Sequence, residues 1–293
     1  NMIKGNSNME KIKLEEQEIL VGSSRLSNTN HKSFDRVEYM IDNMEHNKSY
    51  QHKIINVKEP HKKMEILNQL KSNYINYRKN WTEIGKNYSE KSDFNKHLSN
   101  IGGPLSVDIE TAAICDLACP HCSREYIITP DKIMNFDLYK KIIKEVSDQN
   151  IPSIKLNWRG EPLLNPKICE LVSYAKKNGI LEVSINTNAV SLSTSKAKEL
   201  IESGLDLIIF SFDGGTKDTY EKLRPGRFKT NKFEEVYENI KSFHQIKKKM
   251  KAKFPISKIQ MILTKDTREE VDDFFSSFED IVDDVTITQY NER

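Results

Sequence analysis

Three of the four cysteines, Cys115, Cys119 and Cys122, fall within eight positions in the run CDLACPHC. A thiolate is a soft ligand that suits iron in a sulfide cluster, and a tight loop can bring three thiolates to one cubane. Three thiolates satisfy three irons, so the fourth is left open to chelate a small molecule through amino and carboxylate groups. A structural zinc site is the competing reading, with His121 or Cys169 recruited as the fourth ligand. His121 is cramped between two of the cysteines, and Cys169 sits far along the chain in a predicted helix. Incidental cysteines are the third reading. The spacing is poor for a disulfide framework.

Other polar residues gather where strands are predicted to end. The run WRGEPLLNP contains Gly160, Glu161 and Pro162, a turn that sets a carboxylate where a ligand ammonium could pair with it; a solvated loop glutamate is the alternative. INTNA supplies Asn186, Thr187 and Asn188, and SFDGG supplies Ser211 and Asp213. The last two project to one side of a strand, where a hydroxyl and a carboxylate suit ribose hydroxyls; a helix N-cap is the other account of Asp213. Tyr220 and Arg224 read as anchors of the excursion that follows. Gln260, Gln289 and Tyr290 are candidates for lining a cavity, and Cys169 reads as a small buried hydrophobe.

The elements that must position these residues alternate regularly after the Gly102-Gly103-Pro104 punctuation. LSVDIET, SIKLNW, LEVSINTN, LDLIIFSFD, ISKIQMILT and DVTITQ read as strands. Between them, residues 136–148, PKICELVSYAKKNG, STSKAKELIESG, 232–248 and TREEVDDFFSSFEDI read as helices. Near-continuous apolar runs such as Leu207-Ile208-Ile209-Phe210 fit parallel strands. Six such units make an α/β fold, either a partial (β/α)6 barrel or an open doubly wound sheet, with its chemistry at the carboxyl ends of the strands. Residues 1–100 form a mainly helical or partly disordered N-terminal extension and 101–293 the core domain. Within the extension, Met64, Ile66, Leu67, Leu70, Tyr74, Tyr77 and Trp81 recur at helical spacing, and the first 30 or so residues read as a loose appendage.

With 293 residues, 37% of them hydrophobic, the chain is long enough for one sizeable core. A formal net charge of +2 provides little steering toward nucleic acid or an anionic membrane, and neither partner is indicated. No signal pattern or long apolar run is found, so cytoplasm is the expected compartment. The sequence begins with Asn1 instead of methionine, as a piece of a longer protein would.

The cysteine loop, Gly160-Glu161-Pro162 and the Ser211/Asp213 strand end, in that order, resemble the radical SAM superfamily. The stretch SFDGGTKDTYEKLRPGR resembles its SPASM/twitch branch, which includes sugar and aminoglycoside dehydrogenases and peptide-modifying maturases. The resemblance implies a partial barrel and a [4Fe–4S] cluster held by Cys115, Cys119 and Cys122, with S-adenosylmethionine (SAM) on the open iron. It puts His121 near the adenine, Glu161 against the SAM amino group, Asn186 and Asn188 beside SAM, and Ser211 and Asp213 at the ribose or polar tail. It further implies a reducing donor such as flavodoxin or ferredoxin. The expected reaction is SAM cleavage to a 5′-deoxyadenosyl radical that abstracts hydrogen from a carbohydrate-like substrate, as an oxidoreductase would; a peptide maturase and a noncatalytic scaffold are the alternatives. Arg159, Asp116 and Ala113 depart from the usual pattern, and the branch's C-terminal auxiliary-cluster cysteines do not occur before Arg293. A fragment and a one-cluster enzyme both fit that absence.

Overall fold

The computed structural model describes residues 34–90, 101, 103–126 and 130–289. The loose appendage expected over the first 30 or so residues, Gly102, Tyr290 and the Gln289 side chain lie outside them.

Six parallel strands form one sheet in chain order: β1 Ser106–Asp108, β2 Ser153–Lys155, β3 Glu182–Thr187, β4 Leu207–Ser211, β5 Ile256–Leu263 and β6 Asp284–Gln289. The helices between them are α4 Phe136–Asp148, α5 Ile168–Lys177, α6 Thr194–Ser203, α7 Lys217–Leu223, α8 Phe233–Lys249 and α9 Val271–Phe278. This is the expected α/β partial barrel, open between β1 and β6 among the described residues. Local chemistry sets the boundaries. Asn135 and Ser193 accept backbone N–H bonds at the starts of α4 and α6, and Gly204 ends α6 at φ 90°, where a side chain would be strained.

Alternation along each strand sorts its side chains. Ile154, Val183, Ile185, Ile208, Phe210, Ile259 and Met261 join the core beneath the helices. The intervening Ser184, Asn186, Ser211, Lys258 and Gln260 are half-buried on the other face, beside the apolar Leu207 and Ile209, so the polar residues of the partial barrel's interior lie mostly toward the carboxyl ends of the strands. Both β1 and β2 are only three residues long, shorter than the apolar runs suggest. Beyond them the chain turns into the loops that carry the candidate site.

The N-terminal helices are α1 Arg36–Asp42, α2 Lys48–Ile54 and α3 Pro60–Glu90. They close the opposite end of the barrel. Met40, Met44, Leu67, Leu70, Tyr74 and Tyr77 form one cluster with Leu181, Leu207 and Ile256 from the beginnings of strands. The predicted helical face holds at Leu67, Leu70, Tyr74 and Tyr77, whereas Met64 and Trp81 are exposed because the contact covers only the middle of this long helix. Among the described residues no helix is long and apolar enough to cross a membrane.

Candidate cluster and cofactor site

The cysteine loop leaves β1 at the carboxyl edge of the sheet and is held from three sides. Its approach pairs with a returning segment: Ala113 N donates to Lys132 O at 2.8 Å, and Met134 N donates to Thr111 O at 3.0 Å. Within the loop, Cys122 N closes a turn on Cys119 O at 3.0 Å. Cys115, Cys119 and Cys122 are all free thiols, with Cys119 buried and the others half-buried. Burial pushes the Cys115 thiol up to about 12 and raises that of Cys119, which the Arg224 guanidinium opposes. A cationic metal bound here would therefore have to drive both deprotonations. Among the described residues no three His, Cys, Asp or Glu side chains converge on a point where one ion would sit. A cubane makes a different demand, since each thiolate meets its own iron and the sulfurs stand apart.

Gly160-Glu161-Pro162 lies against the start of this loop. A Cβ on residue 160 would come 1.9 Å from Ala112 O, so only glycine allows the close approach, and Glu161 N donates to Ile114 O at 2.8 Å. The buried Glu161 carboxylate accepts from Leu163 N (3.0 Å), Thr187 Oγ1 (2.7 Å) and Asn188 N (2.8 Å). Burial nevertheless pushes its pKa up to about 7. Three donors occupy three of about four lone-pair positions, so one remains for a ligand N–H. Pro162 opens the short turn that follows and is buried.

Past β3, Asn188 Nδ2 reaches Asp116 Oδ1 at 2.6 Å and points toward Cys115 Sγ at 3.9 Å. Ser191 Oγ donates to the other Asp116 oxygen at 3.2 Å. Asp116, a departure from the resemblance, thus links the loop to β3. Asn186 N donates to Asn157 Oδ1 at 2.7 Å, while its own Oδ1 is buried without a partner. Sequence reasoning missed Asn157 and gave Thr187 no role of its own. Their only signal was position, at the ends of β2 and β3.

Past β4 the structure is more specific than the sequence. Ser211 is half-buried beside Gln260 in the register of β4 and β5. Asp213 accepts from Ile262 N at 2.8 Å and pairs with Arg224 (Nη2, 2.6 Å) and His121 (Nε2, 3.2 Å). Burial would raise its carboxyl, but Arg224 with these hydrogen bonds holds it at about 2. His121, expected near the adenine, is therefore tied to Asp213. Tyr220 and Arg224 do anchor the excursion, through Asn231 Nδ2, which donates to Tyr220 Oη at 3.1 Å and Arg224 O at 2.9 Å. Cys169 lies on α5 and packs against the core.

The sequence profile of the radical SAM superfamily matches residues 109–278, from the end of β1 through α9. The chain belongs to the radical SAM superfamily. Its cofactors are those of the family, a [4Fe–4S] cluster and SAM. It is 32% identical over 108 residues to the tungsten-containing aldehyde ferredoxin oxidoreductase cofactor-modifying protein of Pyrococcus furiosus, covering 36% of this chain and 30% of that protein. It is 32% identical over 114 residues to the PqqA peptide cyclase of Bradyrhizobium diazoefficiens (39% and 30% covered). It is also 31% identical over 130 residues to the GTP 3′,8-cyclase of a Synechococcus strain (42% and 36% covered). The fold matches SPASM/twitch-type structures. One is anSMEcpe with bound AdoMet, at TM-score 0.53 and 23% identity over 65% of this chain and 54% of that one. Another is SuiB of Streptococcus suis bound to SAM, at TM-score 0.54 and 18% identity over 76% and 54%. The matched stretches span about a third of the curated relatives' length and about half of the solved chains.

Proposed function

We propose that this chain is a peptide-modifying radical SAM enzyme whose Cys115, Cys119 and Cys122 hold the [4Fe–4S] cluster. The observation that carries the radical step is the grouping of three free thiols on one loop with Glu161 and Asn188 strapped beside it at the carboxyl edge of the sheet. The donors fit the group: soft sulfurs for iron, a carboxylate with a remaining lone pair, and a buried Asn186 Oδ1 lacking a partner. When bound and reduced, the cluster supplies the electron that cleaves SAM and yields a 5′-deoxyadenosyl radical able to take hydrogen from carbon.

The chain's own residues bind and orient. Glu161 accepts an N–H from the SAM ammonium, Gly160 lets that strand end lie against the loop, and Asn188 directs its amide at the Cys115 sulfur. Asn186 and Ser211 present polar groups from adjacent strands, for SAM or its ribose. The floor formed by α1–α3 keeps water from the other end. A low-potential donor such as flavodoxin or ferredoxin supplies the electron.

The peptide assignment is supported by the likeness to the PqqA peptide cyclase and by the resemblance of the stretch after β4 to the branch that includes maturases. The carbohydrate-like substrate and the oxidoreductase class expected from the sequence find no support among the relatives reported above, which are named as cyclases and a cofactor-modifying protein. A nucleotide substrate is the second reading, favoured by the GTP 3′,8-cyclase likeness. The test is 5′-deoxyadenosine formation after anaerobic reconstitution and reduction with SAM, first alone and then with peptide, GTP and sugar panels. Product should appear in the parent protein and vanish in C115A, C119A and C122A, and peptides should raise its yield. A folded, fully loaded protein that forms none overturns the radical reading, and a rise confined to GTP or sugars overturns the peptide assignment.

A further inference from the structure

The excursion after β4 returns to the cysteine loop and forms a ribbon with it. Ala118 N donates to Pro225 O at 2.9 Å, Arg227 N donates to Asp116 O at 2.7 Å, and Leu117 lies opposite Gly226 in an antiparallel bridge. The backbone between Cys115 and Cys119 thus has a partner strand made of residues 224–227.

Arg224 fastens the base of that strap. Its buried guanidinium places Nε at 2.9 Å and Nη2 at 2.6 Å from Asp213 Oδ2, and the same oxygen lies 3.2 Å from Nε2 of His121, between Cys119 and Cys122. One carboxylate, fixed to β5 through Ile262 N, therefore grips both the strap and the loop. The buried pair thus lies directly against a residue between Cys119 and Cys122. Farther out, the Arg227 guanidinium pairs with Asp131 at 2.9 Å, and Arg124 pairs with that carboxylate too. Gly226 allows the tight fold, because a Cβ there would lie 1.7 Å from Lys229 O.

We propose that Arg224, Asp213 and the 224–227 strap are positioning residues that hold the cysteine loop in its ligating shape before iron arrives, and that the Arg224–Asp213 pair sets the cluster's reduction potential. Both halves take the cysteines as the ligands proposed above, but the ordering of the loop by the strap is read in the cluster-free protein. Two backbone hydrogen bonds and a buried ion pair restrict an eight-residue loop that would otherwise have to be ordered at the moment of ligation. Reduction adds one negative charge, and local charge is among the factors that tune a cluster's potential. A buried cation beside the ligating loop favours the reduced state, and its carboxylate partner offsets that effect. Removing either member therefore shifts the potential in opposite directions, although both removals loosen the loop.

The test combines amide exchange in the cluster-free protein with redox titration and chelator challenge of the loaded protein. In R224Q and D213N, exchange at the Ala118 and Arg227 amides should quicken at least about tenfold while β3 and β4 amides keep the parent rate. The loaded R224Q protein should have a more negative midpoint potential than the parent, D213N a more positive one, and R224K one near the parent. G226A keeps both charges and covers the case in which the buried-pair variants fail to fold. It should quicken exchange and iron loss without moving the potential. Unchanged exchange at Ala118 and Arg227 overturns the preorganising role even if no cluster assembles. Potentials that move the same way in R224Q and D213N overturn the electrostatic one. A parent protein that never takes a cluster sinks the function proposed above and the electrostatic half with it, while exchange at Ala118 and Arg227 still decides whether the strap orders the loop.

Discussion

The two ends of this barrel contain comparable amounts of buried polarity and treat it differently. At the floor, partners come from the chain itself. Lys176 Nζ, fully buried, reaches Asp206 at 2.5 Å and Leu181 O at 2.9 Å, and Asp206 also accepts from Asn47 Nδ2 and Val183 N, each at 2.8 Å. Glu182 accepts from Tyr74 at 2.8 Å and Tyr77 at 3.2 Å. At the mouth, three thiols are free, and the Asn186 and Arg159 side chains each hold a buried atom without a partner; the remaining such atom among the described residues is Arg78 Nε, on α3. An unpartnered buried polar group is costly, and Asn186 Oδ1 at the mouth is one that an external ligand would complete. The floor confers stability, and the mouth confers chemistry.

The largest effect that would break this contrast belongs to the floor. Asp206→Ala strands Lys176 in an apolar setting and removes an acceptor from Asn47 and Val183 N, so folding stability should fall by about 3–5 kcal/mol. Denaturant unfolding of the cluster-free protein measures it. The surviving folded, reconstituted protein should retain the parent's iron–sulfur absorption. A loss below about 1 kcal/mol would mean that the floor does not depend on this pair. Next in size is Gly160→Ala. Its Cβ meets the Ala112 and Ile114 carbonyls, and relief requires Glu161 to move from the loop, at a cost of about 1–3 kcal/mol. Unlike the floor variant, it should also weaken SAM binding in anaerobic titration. An intact SAM affinity alongside lowered stability would move Glu161 from the ligand's site to the scaffold.

How much of this was legible follows from the range of each interaction. The cysteine loop and Gly160-Glu161-Pro162 stand out because their spacing is local. The six strands and five of the helices between them stand out because their apolar patterns and Gly179 or Gly204 punctuate them within a few residues, whereas the short α7 does not. The ends of β1 and β2 were not legible, because Ile109 and Leu156 continue the apolar pattern after the ladders give way to loop bonds such as Thr111 Oγ1 to Leu156 O. Nor was the sealing role of α1 and α2, two seven-residue helices that gain meaning only where Met40 meets the cluster of Leu181 and where Asn47, the cap of α2, bonds Asp206. Asp213, Arg224 and His121 show why the strap escaped notice: the carboxylate is 11 residues from one partner and 92 from the other, and no local pattern links them. Arg224 read as an anchor because it follows a strand end, but the cysteine loop it holds could be found only in three dimensions.

The smallest predicted effect concerns how the mouth recognises its ligand. The Glu161 carboxyl is pushed up to about 7 by burial, with Asp116 adding repulsion and three hydrogen-bond donors pulling the other way. Only the ionised form attracts an ammonium group, so affinity for SAM should increase as pH rises through about 7. From about one-tenth ionised at pH 6 to about nine-tenths at pH 8, the gain attributable to this group is roughly tenfold. The SAM amine titrates as well, which makes the informative quantity the difference between the parent and Glu161→Gln across that range. Anaerobic calorimetric titration of the reconstituted proteins at pH 6, 7 and 8 should show the difference widening with pH, because the amide stays neutral while the carboxylate gains charge. Parallel curves would assign the whole pH response to SAM and leave Glu161 as a cap of the turn at Pro162, a floor-like role at the mouth of the barrel.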